Sequence, residues 1–277
     1  MHSGWAHSLD VNLLTAGYNL PQEYSGGSGI YAGTQGPLAV FMPQQMGTKL
    51  LIATVPKKTL SKKIEKTDVE KETLILAMDH ITDSIRDRGS AMKLLKDPSF
   101  PSFSITPLSK SDAEINVNRM SYKKDGLSCY VEVSWRSRAD DDDYKNYEIV
   151  AYSGDRNFGR ASRNHVETCG LTLCHQETPS SLCDWPDFGL KNSSTEIVSI
   201  NIVARSRELT SIPIPSTLNS SMYPLEVDLF TYSSSIVSEE EKEFYLIEMN
   251  LVRPVNNLVT FVMYKLPSDS SSNHREH

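Results

Sequence analysis

The sequence predicts a mainly β protein, a β-sandwich or jelly-roll-like domain carrying one amphipathic α-helix behind an irregular Gly/Pro-rich N-terminal arm. Two observations carry this. Beyond residue 100, short β-branched and aromatic segments are separated by clusters of Gly, Pro, Asn, Asp and Ser, the texture of a sandwich or barrel. Within that region, 127–136 places Cys129, Val131, Val133 and Trp135 on one side and Tyr130, Glu132 and Ser134 on the other. A period of two marks a strand with one buried face.

Taken in order, residues 1–47 form the arm. Gly17, Gly26, Gly27, Gly29, Gly33, Gly36 and Gly47, with Pro21, Pro37 and Pro43, leave room for at most one short strand, 38–42. The remainder, 48–266, reads as a single mainly β domain. It opens with the apolar run 50–55, which Gly47 and Pro56 bound too tightly for a helix. The helix is placed at 68–88 within an insertion spanning 67–89. Thr67 and Glu70 make a capping box, Leu74, Met78, Ile81 and Ile85 share one face, and Gly89 stops the run. A short turn at 91–96 follows, ended by Pro98 and Pro101. Strands are expected at 114–120, 127–136, 147–153, 197–206, 225–232, 244–251 and 258–266. The second and third flank Asp140, Asp141, Asp142 and Asp143, which suggests a hairpin with an acidic tip. Glu239, Glu240, Glu241 and Glu243 read as a solvated turn before a strand. Residues 267–277 have no apolar periodicity and read as a disordered tail.

Composition bounds the function. With 39% apolar residues among 277, a packed core is expected, and a net charge of −7 without long single-sign blocks makes duplex nucleic acid a poor main ligand. Lys57, Lys58, Lys62, Lys63 and Lys66 have no interleaved aromatics and read as a solvated linker. No apolar run reaches the roughly 18 residues of a membrane-spanning helix. The first residues lack a basic start, and His7 and Asp10 interrupt them, so the expectation is an intracellular soluble protein. Two sequons, Asn192-Ser193-Ser194 and Asn219-Ser220-Ser221, gain meaning only if the protein is exported.

The chemically richest stretch is 165–183. Cys169, Cys174, His175 and Cys183, with His165 nearby, bring thiolate and imidazole donors close enough in sequence to close a tetrahedral zinc site. The gaps match no standard zinc spacing and contain no C-x-x-C, so buried thiols, or a disulfide after export, are the competing readings. Arg156, Arg160 and Arg163 could engage an oxyanion, against the simpler reading of a solvated surface. The aspartate run lacks the alternation and glycine of a calcium loop. The Gly-rich arm lacks the spacing of a nucleotide fingerprint or P-loop, and no G-x-S-x-G elbow occurs.

The leading expectation is therefore a non-enzymatic structural or protein-interaction protein that works through a protein partner or self-association. A self-assembling viral shell, matrix or movement-type protein is the alternative, with the arm reaching between copies. A zinc-dependent enzyme or zinc-stabilised domain stands third.

Overall fold

A computed structural model describes residues 1–18, 27–42, 47–58, 73–77, 100–137, 143–157, 163–174 and 194–265. The chain is mainly β, as expected, and is built around two five-stranded antiparallel sheets.

The arm departs from expectation. It starts with α1 (His2–Leu9) and continues into β1 (Asn12–Thr15), β2 (Ser28–Ala32) and β3 (Pro37–Phe41), a three-stranded sheet in that order. Asp10 ends the helix in the left-handed region with φ 48°, a conformation that suits Asp better than most residues. Its carboxylate then accepts from the Thr34 N–H and hydroxyl, both at 2.9 Å, and pairs with Lys58 at 2.5 Å, tying helix, sheet and lysine segment together. Short polar contacts thus order a stretch whose glycines suggested irregularity.

β4 (Lys49–Ala53) is the strand expected near 50–55, but its partner is β5 (Thr73–Ala77), paired antiparallel from Lys49 opposite Ala77 to Ala53 opposite Thr73. This corrects the helix at 68–88 over its described part. A short run with four consecutive apolar residues is as compatible with a strand as with a buried helical turn, and here a neighbouring strand satisfies its backbone groups. Met78, Ile81 and Ile85, the turn at 91–96 and the tail at 267–277 lie outside the described residues.

The first large sheet has the order β12 (Pro213–Asn219), β15 (Leu258–Lys265), β10 (Arg163–Leu173), β9 (Tyr147–Asn157), β6 (Ser104–Pro107). The second runs β13 (Phe230–Glu239), β14 (Lys242–Leu251), β11 (Thr195–Ser206), β8 (Leu127–Ser137), β7 (Asn116–Lys124). The expected hairpin across the aspartate run does not form: β8 pairs with β7 and β11, β9 with β6 and β10, so the connection between them crosses from one sheet to the other. The hairpins of the second sheet lie elsewhere. Asp125 and Gly126 join β7 to β8 with φ 47° and 91°, and Glu240 and Glu241 join β13 to β14 with φ 50° and 63°. Positive φ at both central residues gives a two-residue turn the twist of its flanking strands. The expected strand at 225–232 begins only at Phe230. Strand β12 contains Pro213 and Pro215, which lack the N–H of a central strand, and it lies at the sheet edge.

The core fills the space between the sheets. Val131, Val133 and Trp135 of β8, with Ile200 and Ile202 of β11 and Met249 of β14, form one wall and face Ile149 and Ala151 of β9, Leu171 of β10 and Phe261 of β15 on the other, all fully or almost fully buried. One end of this core is aromatic. The Trp135 indole N–H donates to Asn118 at 2.8 Å and its ring stacks on Tyr144 at 4.8 Å, while the Tyr147 hydroxyl donates to the Leu258 carbonyl at 2.9 Å. Buried polar atoms of aromatic residues need such partners.

Two glycines are fixed by close approach. At Gly4 a Cβ would lie 1.8 Å from the Pro215 carbonyl oxygen, so α1 sits directly on the backbone of β12. Gly4→Val should lift the helix off this edge at a cost of about 2 kcal/mol, read out as faster proteolysis within residues 1–18 with the remaining chain resistant. At Gly170, φ is 150° and a Cβ would lie 2.2 Å from the Phe261 carbonyl oxygen. Gly170→Ala should therefore force β10 and β15 apart, again at about 2 kcal/mol, measured by denaturant titration.

Candidate functional site

The opposite end of the core is polar. Along β9 and β10 the residues that face inward continue past the apolar positions into Ser153 and Asp155 on one strand, and Glu167 and His165 on the other. Lys265 occupies the same place at the end of β15, Ser206 at the end of β11 and Tyr122 on β7. Strict alternation carries these groups between the sheets because they share the parity of Ile149, Leu171 and Met263.

Ser153 Oγ lies 3.1 Å from His165 Nε2, and His165 Nδ1 lies 3.5 Å from the Asp155 carboxylate. Nucleophile, base and orienting carboxylate occur in the sequence that nucleophilic catalysis requires. The surroundings do not suit a nucleophile: Ser153 is 0% exposed, and its backbone N–H donates to the Tyr122 hydroxyl at 3.0 Å. A substrate carbonyl has no approach to Oγ in this arrangement.

Deeper in, Lys265 Nζ donates to the Ser206 hydroxyl at 2.8 Å and to the Glu208 carbonyl, and stands 3.8 Å from the Glu167 carboxylate. Both charged residues are 1% exposed. Burial pushes the Glu167 carboxyl above its ordinary range, against the opposing pull of the Ser206 hydroxyl, Lys265 and His165. Burial likewise pulls Lys265 down, against Glu167 and Glu208. Both directions say that desolvation outweighs the attraction within the pair. At the rim the hydroxyl and N–H of Thr210 hold the Glu208 carboxyl below its usual value.

Next to this cluster the two sheets are covalently joined. Cys129 of β8 and Cys169 of β10 form a disulfide, and Cys174 is disulfide-bonded as well. That corrects the zinc set of Cys169, Cys174, His175 and Cys183: the first two offer no thiolate, and His175 and Cys183 lie outside the described residues. No group of three metal-ligating side chains occurs among the described residues. Of the arginines, Arg156 donates to the Tyr264 hydroxyl at 3.0 Å, Arg163 opens β10, and Arg160 is outside the described residues. Asp140, Asp141 and Asp142 are outside them too.

One buried carboxyl stands apart. Glu148 projects from the other face of β9, opposite Thr172 and Pro107, and one of its oxygens has no hydrogen-bond partner. Burial alone pushes its carboxyl up to about 7.

Residues 92–271 match the model of the vanin C-terminal domain, about two thirds of the chain. The protein belongs to this family. It is similar to two Drosophila melanogaster proteins. Vanin-like protein 3 is 31% identical over 94% of this chain and 47% of its own length, and Vanin-like protein 2 is 27% identical over the same shares. The chain thus spans about half the length of these relatives. The vanin C-terminal match covers every strand of the two large sheets, so the inter-sheet disulfide and the polar cluster both lie inside the family region. No helix among the described residues is long and apolar enough to cross a membrane.

Proposed function

We propose that this chain is a non-enzymatic β-sandwich module of a vanin-like protein, exported to an oxidising compartment, where it supports and binds protein rather than turning over a substrate. The observation that carries this reading is the pairing of Cys129 with Cys169 between the sheets. Such bonds persist outside the reducing cytosol, which replaces the intracellular expectation with an exported one. The burial of Ser153 supports the non-enzymatic half, because the best-ordered catalytic constellation is sealed beneath its own sheet. The family name, a C-terminal domain, and the half-length match to the fly proteins both favour a module that acts beside further protein. A viral shell or movement role has no observation in its favour.

The test compares hydrolysis of activated esters and amides by the purified chain and by its Ser153→Ala and His165→Ala variants. All three should match the uncatalysed rate. In parallel, light scattering should detect a one-to-one complex with the remaining half of Vanin-like protein 3. A rate that disappears with Ser153 would overturn the reading.

A further inference from the structure

We propose that Asn219 is an N-glycosylation site, displayed at the end of edge strand β12. This inference rests on the exported reading above. Three observations carry it. The residues Asn219-Ser220-Ser221 form an acceptor triplet with no proline in the middle. The triplet is already folded into a tight local turn. Asn219 Oδ1 accepts from the N–H groups of Ser221 at 3.0 Å and Tyr223 at 3.1 Å, and the Met222 N–H donates to the Asn219 carbonyl at 2.8 Å. Met222 closes the turn at φ 64°. An asparagine whose side-chain oxygen caps its own turn in this way leaves its amide out of the turn's hydrogen bonding, and Asn219 itself is half-buried. Finally, Nδ2 makes no hydrogen bond among the described residues, and Ser221 is exposed.

The two oxygen contacts have a chemical consequence. With Oδ1 held by two donors, Nδ2 is the part of the side chain left for reaction. Nδ2 attacks the anomeric carbon of a glycosyl diphosphate donor; the new N–C bond replaces the anomeric C–O bond, the diphosphate leaves, and Nδ2 gives up one proton. The glycan would project from the β12 edge, where a bulky hydrophilic group opposes pairing with another chain.

The experiment expresses the protein from its own complete coding sequence in insect cells and recovers it from medium and cells. Peptides are treated with peptide N-glycosidase in heavy-oxygen water, which converts a glycosylated asparagine to a labelled aspartate. Labelling at position 219 in the secreted protein is the expected result. Asn219→Gln and Ser221→Ala should abolish that label while Ser221→Thr keeps it, and all three should be secreted. Secreted, disulfide-bonded protein with an unlabelled Asn219 overturns this inference alone. Protein retained in cells with Cys129 and Cys169 reduced overturns the exported reading and this inference with it.

Discussion

Replacing Cys129 and Cys169 together by alanine should lower the unfolding free energy by about 4 kcal/mol. The two cysteines are separated by 40 residues, and closing a loop of that length removes roughly this much free energy of chain entropy from the unfolded state. Alanine is the informative replacement. Both sulfurs sit in the core, so serine would bury two hydroxyls without partners and exaggerate the loss. The double variant is also better than a reductant, which would open the bond at Cys174 too. Chemical denaturation should show a lower midpoint. An increased slope with denaturant would reflect the greater expansion of an unfolded chain freed of its cross-link. Near-unchanged stability would mean that sheet packing alone fixes the two layers.

What sequence pattern can reveal is set by what is local. The alternation in 127–136 placed Cys129, Val131, Val133 and Trp135 on the core face, because a strand writes its burial into its own neighbours. Which strand it pairs with is not local. The aspartate run looked like a hairpin tip from its flanks, yet the turn that does join β8 to a neighbour is Asp125-Gly126, a dipeptide suited to positive φ that the sequence carries openly. Strand β10 was hidden by its polar content: Glu167, Thr168 and His165 obscure an alternation that holds through Cys169, Leu171 and Leu173. At 73–77 a partner strand decided between two conformations that the same five residues permit.

The site shows the same division. Four cysteines allow three complete pairings, and nothing in their spacing selects Cys129 with Cys169. Their proximity in sequence suggested a zinc cluster because three of them fall within one stretch, whereas the packing of one sheet on the other brings in the fourth from 40 residues away. Lys265 and Glu167 were individually unremarkable as strand charges. The readable signal was parity: Lys265 follows Phe261 and Met263 at the two-residue period, which puts an ammonium group on the core face.

Between about pH 4.5 and about pH 7, Glu148 should take about 3 kcal/mol from the stability of the fold as pH rises. Its carboxyl is raised from 4.5 to about 7 by burial, and a raised acid stabilises the fold fully only below its unfolded value. Between the two values the unfolded chain ionises while the folded carboxyl keeps its proton. Each pH unit in that window therefore favours unfolding by about 1.4 kcal/mol, until the folded group ionises near 7 and the loss levels off. The residues opposite Glu148 in the sheet, Thr172 and Pro107, bring no cation to reverse the sign. Glu167 is raised as well and acts in the same direction, whereas His2 and His7, lowered by burial, act in the opposite one, so wild type alone cannot isolate one carboxyl. Glu148→Gln can. The difference in unfolding free energy between variant and wild type should grow by about 3 kcal/mol in the variant's favour from pH 4.5 to pH 7.5. A constant difference across that range would mean that the folded carboxyl titrates at its ordinary value and that a cation or water reaches its unpartnered oxygen.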